Sequence, residues 1–196
     1  MLKFGNRLTL RILRAVYKLI DALSIYNQAE ELVQTYKTRD PSEIADALNI
    51  DIYFNEFEDL LGIYTCLFGH RVIVLNSLMS EELYRMVLGH ELGHDILHRT
   101  GATSKNGIAD FKEFSMTCKT GTLEYEANAF CAHLLISNDD FLENAQNGLN
   151  IETMASIFCV DPNLIVIKGK ELQRMGYDIK NCEEYNSCFL KNVNPF

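Results

Sequence analysis

No uninterrupted apolar run in this chain reaches the roughly 18 residues that a membrane-spanning helix needs. Nor does the N-terminus show the succession of short basic stretch, apolar block and small-residue cleavage site that marks a secretory leader. A cytoplasmic location is therefore expected. There is no internal repeat and no low-complexity tract, which excludes fibrous and disordered architectures. The six cysteines (Cys66, Cys118, Cys131, Cys159, Cys182 and Cys188) show neither C-x-x-C spacing nor the density of a disulfide-stapled domain, so they read as reduced thiols that mostly fill the core. Bases are also scarce, 18 Lys and Arg against 27 Asp and Glu, for a net charge of −9. Five of them (Lys3, Arg7, Arg11, Arg14, Lys18) lie within residues 1–20, where there is no acid, so the other 176 residues carry a net −14. A body that acidic binds polyanions poorly, and no direct nucleic-acid partner is expected.

What is present is the composition of a soluble globular protein, 47% hydrophobic and 23% charged over 196 residues, enough for one large domain or two small ones. The five N-terminal bases fall within an arc of about 80° on a helix, with Leu8, Ile12, Ala15, Val16 and Leu19 on other faces. This basic amphipathic helix, continuing to about Tyr36, is read first as a solvated stripe; contact with an anionic membrane surface is the less favoured alternative. Asp40-Pro41 caps a second helix ending near Asn49. Ile50, Ile52 and Phe54 alternate with polar or half-exposed neighbours as a strand, and residues 61–68 and 71–76 form a hairpin turning at Gly69-His70. Helices are expected over 80–99, 123–136, 139–147, 151–158 and 162–175, with a surface excursion at 100–121 and a tail over 179–196. The fold class expected is α+β: a helical protein with a small antiparallel sheet of about three strands. Its divisions are an extension of 1–36, a main domain of 37–148, a helical pair at 149–178 and the tail.

The chemistry is concentrated at His90-Glu91-Leu92-Gly93-His94, an H-E-x-x-H motif in the middle of the helix of 80–99. Residues four apart lie about 40° apart around a helix, so both imidazoles converge on one metal, while Glu91 is rotated by about 100° toward a water molecule. The helix is apolar all round, and two imidazoles on its buried surface require a compensating partner. A catalytic zinc takes three protein ligands and keeps one open position. His98 fails as the third because it lies about 12 Å along the axis from His90; it reads as an exposed or supporting residue near the helix end. The next long helix offers Glu124 and Glu126. Glu124 is the choice, because Asn128 shares its face and its amide can hold a ligand histidine by hydrogen bond. Glu126 reads as a solvated acid, or one paired outside the site.

These two segments, His90 through His98 and Glu124-Tyr125-Glu126-Ala127-Asn128-Ala129-Phe130 with Leu134-Leu135-Ile136, resemble the ImmA/IrrE family of metallo-endopeptidases. Asp40-Pro41-Ser42-Glu43-Ile44-Ala45, Asn49-Ile50 and Val72-Ile73-Val74-Leu75-Asn76 resemble the family's lead-in, so the likeness spans roughly residues 25–175. It implies a zincin-like protease holding one Zn2+, with His90, His94 and Glu124 as ligands and Glu91 as catalytic base. It also implies a role in cutting a helix-turn-helix repressor of a prophage or mobile element. Cys131-Ala132-His133 departs from the usual pattern; His133 lies about 180° from Glu124 and is read as outside the site. Tyr64, His70 and Tyr125 are unranked candidates for a second oxyanion donor or a substrate contact. Two rivals stand beside the protease: a non-proteolytic zinc-containing regulator that binds a repressor, and a DNA-binding helix-turn-helix at 151–174 presenting Lys168, Lys170 and Arg174.

Overall fold

In a computed structural model, residues 7–102 and 121–179 are described, with side chains from residue 21 onward except those at 67 and 100–102. The basic side chains of 1–20, the excursion at 103–120, the tail beyond 179, and Cys118, Cys182 and Cys188 lie outside the described residues. Within them the chain runs α1 (Arg7–Tyr36), α2 (Pro41–Ala47), β1 (Asp51–Asn55), β2 (Gly62–Leu67), β3 (His70–Asn76), α3 (Glu81–Ala102), α4 (Thr122–Leu135), α5 (Asn138–Gln146), α6 (Ile151–Phe158) and α7 (Pro162–Arg174). The expected α+β class holds. Local chemistry sets the helix starts. The Asp40 carboxylate accepts from Ser42 N at 2.8 Å with Pro41 in the first turn, and Asp161 repeats the device on Asn163 N ahead of Pro162. Each such cap contributes about 1 kcal/mol.

The sheet corrects the antiparallel expectation. Its order is β1-β3-β2, with β2 antiparallel to β3 but β1 parallel to it. The chain reverses twice between β1 and β3, once through the loop of 56–61 and once at the hairpin, and so returns to its original direction beside β1. Buried Asn76 fixes the loop by donating to the carbonyls of Phe57 (2.8 Å) and Leu60 (3.0 Å). The hairpin turn is Phe68-Gly69, one residue earlier than expected, and both residues have positive φ (51° and 85°), as a two-residue turn of this hand requires. Phe54 is exposed at the β1 rim and stacks on Tyr84, so the inward alternation of β1 is shorter than expected.

Helix α3 is buried from Met86 to Asp95. Its most extensive contact is with α4. Gly89 lies against Cys131 and Gly93 against Ala127, so the two helices run antiparallel and nearly touch. A Cβ at Gly93 would lie 3.0 Å from both the Cα and the carbonyl oxygen of Ala127. On the opposite flank Arg71 of β3 forks onto the fully buried Asp95, with Nε 2.8 Å from Oδ1 and a second bond from its terminal nitrogen to Oδ2. Its remaining nitrogen donates to Leu48 O at 2.9 Å, tying α2, β3 and α3 together.

One apolar cluster takes side chains from α1, α2, the sheet, α3, α4, α6 and α7 alike. Lys168 and Glu171 of α7 are fully buried in contact with it. Lys168 Nζ reaches Asn138 Oδ1 (2.6 Å) and His133 Nδ1 (3.0 Å), and Arg174 bonds Glu171 Oε1 (2.6 Å). Burial pushes Lys168 down to about 7 and His133 down to about 4. The helix-turn-helix alternative thereby loses Lys168 to the interior, and Arg174, partly exposed, is held by Glu171. Among the described cysteines, Cys131 is buried, Cys66 partly buried and Cys159 exposed, all unpaired with sulfur. No described helix is long and apolar enough to cross a membrane.

Helix propensity alone would make Gly93→Ala a gain of about 1 kcal/mol. The contact with the Ala127 backbone reverses the sign. Gly93→Ala is expected to lower unfolding stability by about 1–3 kcal/mol, read from the denaturant midpoint; a net gain would show that α3 and α4 have room to part.

Candidate metal centre

His90 and His94 stand one turn apart on α3, their Nε2 atoms 3.0 Å from each other. The close crossing at Gly93 brings the first turn of α4 over them. Glu124 Oε2 lies 3.6 Å from His90 Nε2, and Oε1 lies 3.6 Å from His94 Nε2. Both imidazoles are buried and Glu124 is partly so. The Asn128 amide oxygen lies 2.8 Å from His90 Nδ1; as a carbonyl it only accepts, so Nδ1 carries the proton and Nε2 presents its lone pair to the centre.

This donor set fits a metal ion. Zinc bonds of about 2.0–2.1 Å in a tetrahedron place neighbouring ligand atoms about 3.3 Å apart, and the separations here run from 3.0 to 3.6 Å. Two imidazole nitrogens at 3.0 Å with a carboxylate against both are repulsive as bare lone pairs, and a cation between them removes the repulsion. Among the described residues, His90, His94 and Glu124 form the group of three such side chains that could hold an ion. Burial lowers the His90 pKa, but the Glu124 hydrogen bond and the charges of Glu91 and Glu124 outweigh it and leave the value raised; His94, buried beside the His90 and His98 rings, is held well below the ordinary imidazole value.

Glu91 points to the sheet side. Its Oε1 lies against Gly62 at the start of β2, where a Cβ would meet Val87 Cγ1 at 2.7 Å and Oε1 at 3.2 Å, so only glycine leaves the carboxylate room. Its Oε2 is buried with no hydrogen-bond partner. Burial pushes Glu91 up to about 7; the Glu124 charge adds to the rise, while His90 and a hydrogen bond from the Tyr64 backbone oppose it. A carboxyl poised near neutrality can take a proton and return it.

The remaining candidates fall in different places. Tyr64 turns its phenol toward Asp95, and burial together with that carboxylate raises its pKa. His70 is exposed where β3 begins. Tyr125 donates its hydroxyl to Glu171 Oε1 at 2.5 Å, and Arg174 lies over its ring, so its polar end serves the α4–α7 contact. His133 is buried in that same contact, T-shaped against Tyr26. His98 and Glu126 come together: His98 Nδ1 lies 3.0 Å from His94 Nδ1, and Nε2 lies 2.9 Å from Glu126 Oε2. Sequence reasoning missed this pairing and the role of Asp95. The spacing of His94 and His98, four apart on one helix, was a signal for their contact with each other and not for Glu126.

The family model Peptidase_M78, described as the IrrE N-terminal-like domain, matches residues 45–168, which includes every residue of the His90, His94 and Glu124 group. The chain is 31% identical over 124 residues to "Uncharacterized immunity region protein 2" of Bacillus phage phi105, covering 63% of this chain and 72% of the phage protein. No solved structure matches the fold.

An acid whose folded pKa lies above its unfolded value costs nothing while protonated in both states. The cost grows as pH rises from about 4.5 to about 7 and is complete above that. In metal-free protein, Glu91→Gln is therefore expected to raise stability at pH 8 by roughly 3 kcal/mol at most and to have little effect at pH 4, read from denaturant midpoints at the two pH values. An equal effect at both would show that Glu91 is not held neutral.

Proposed function

Because the chain belongs to the Peptidase_M78 family of IrrE N-terminal-like domains, we propose that it is a cytoplasmic zinc-dependent endopeptidase. In this reading it hydrolyses a peptide bond in a helix-turn-helix repressor of a prophage or mobile element and so relieves repression. The observation that carries the reading is the convergence of His90 and His94 from α3 with Glu124 from α4, beside a buried Glu91 whose second oxygen has no partner. The name of the phage relative, an immunity region protein, supports a repressor-related partner.

A zinc ion held by His90, His94 and Glu124 supplies Lewis acidity toward water and the scissile carbonyl. The chain's own part is proton handling and placement. Glu91 accepts a proton from the attacking water at its free Oε2 and delivers it to the departing amine. Asn128 fixes the His90 ring, and Gly62 lets β2 lie against α3 without displacing the base. Strand β2 is an edge of the sheet and abuts Glu91. A substrate segment added along that edge gains main-chain hydrogen bonds and brings its peptide carbonyl to the base.

The test is cleavage of the repressor encoded beside the gene by zinc-loaded protein. Glu91→Gln is expected to retain zinc and lose at least about a hundredfold in cleavage rate. Undiminished cleavage removes Glu91 from the mechanism; a stable stoichiometric complex with no cleavage favours the non-proteolytic regulator.

A further inference from the structure

We propose that His98 and Glu126 are positioning residues for His94, a two-member relay that presents His94 Nε2 to the metal. The inference rests on the reading of His90, His94 and Glu124 as a metal site. Its geometric basis is the chain of contacts from Glu126 Oε2 to His98 Nε2 at 2.9 Å, and from His98 Nδ1 to His94 Nδ1 at 3.0 Å. The His94 and His98 ring centroids lie 5.2 Å apart.

For a neutral His98, proton accounting gives these contacts one direction. An ionised carboxylate only accepts, so His98 carries its proton on Nε2 and donates it to Glu126. A neutral His98 then has a lone pair on Nδ1, which accepts from His94 Nδ1–H. His94 Nε2 is left unprotonated, and that is the nitrogen facing His90 and Glu124. The opposite tautomer of His98 would set a ring lone pair against the Glu126 carboxylate. Glu126 thus selects the tautomer of His94 without touching it, as an outer carboxylate does for a ligand imidazole.

The two ligands are held differently. His90 donates to a neutral amide, Asn128, while His94 donates to an imidazole backed by a charge. The His98–Glu126 pair costs the fold little, because both side chains are partly exposed (14% and 19%) at the flank of the α3–α4 contact.

The test measures zinc affinity, by competition with a chromophoric chelator, and the melting temperature of metal-free and zinc-loaded protein. His98→Leu is expected to weaken zinc binding about 10- to 100-fold with the metal-free melting temperature unchanged. Glu126→Ala is expected to weaken it several-fold in the native background and to have no further effect beside His98→Leu. His98→Gln recovers most of the affinity, since one amide can accept from His94 and donate to Glu126. The proposal is overturned if His98→Leu binds zinc within twofold of the native chain, if Glu126→Ala costs as much with His98→Leu as without it, or if His98→Leu lowers the metal-free melting temperature. Native protein that binds no zinc would instead bring down the metal-site reading, and the relay with it.

Discussion

The near contact of α3 with α4 is the constraint on which the centre depends. A glutamate side chain is short compared with the usual 8–10 Å between helix axes, and Glu124 must reach two histidines already projecting from the neighbouring helix. Gly89 and Gly93 on one side, with Ala127 and Cys131 on the other, remove the side-chain layer that would hold the helices apart. Where the layer is absent, the carboxylate spans the gap to both Nε2 atoms at once. The two glycines carry an intrinsic penalty as helix-interior residues, which the burial of both helices offsets.

Buried charge is handled in two ways. Asp95 is answered by the Arg71 fork, and Glu171 by Tyr125 and Arg174 at Oε1, so these acids lock elements together, while Glu171 Oε2 lies 3.8 Å from His133 Nε2 with neither hydrogen-bonded. Glu91 is not answered in that way, and the inner nitrogens of His90 and His94 are turned to each other and to Glu124. The Glu91 Oε2 has no partner, and the imidazoles face each other across a gap suited to an ion. Tyr64 Oη, His133 Nε2 and Glu171 Oε2 are also buried without a hydrogen bond, so what marks the site is the coincidence of the unpartnered Glu91 oxygen with two converging imidazoles and a carboxylate.

Much of this was legible from the residues. The H-E-x-x-H spacing put two imidazoles on one face, and the shared face of Glu124 and Asn128 singled out the third group and its supporting amide. Helix starts at Pro41 and Pro162 followed from Asp-Pro pairs with the expected side-chain caps. Strand partnership was less legible. Nothing local in residues 51–55 tells the strand to skip β2 and lie parallel to β3, because pairing order is decided by which strand fills the middle of the sheet, and here Ile73 and Leu75 of β3 do. The interior of α7 was also missed. Lys168 reads only as a base of the DNA-binding alternative, although the run Leu164-Ile165-Val166-Ile167 just before it leaves little of that helix for water. The meeting of Glu126 with His98 depends on how two helices are docked, which spacing along either one does not specify.

The polar contacts of the last helix have a consequence for how the molecule is made. His133 and Tyr125, on the same helix as Glu124, bond Lys168 and Glu171 of α7. While a ribosome has released no more than α5, those bonds to α7 are unmade, and α4 meets α3 without them. The centre therefore gains this last support only when synthesis has passed Arg174, late in the emergence of the described chain.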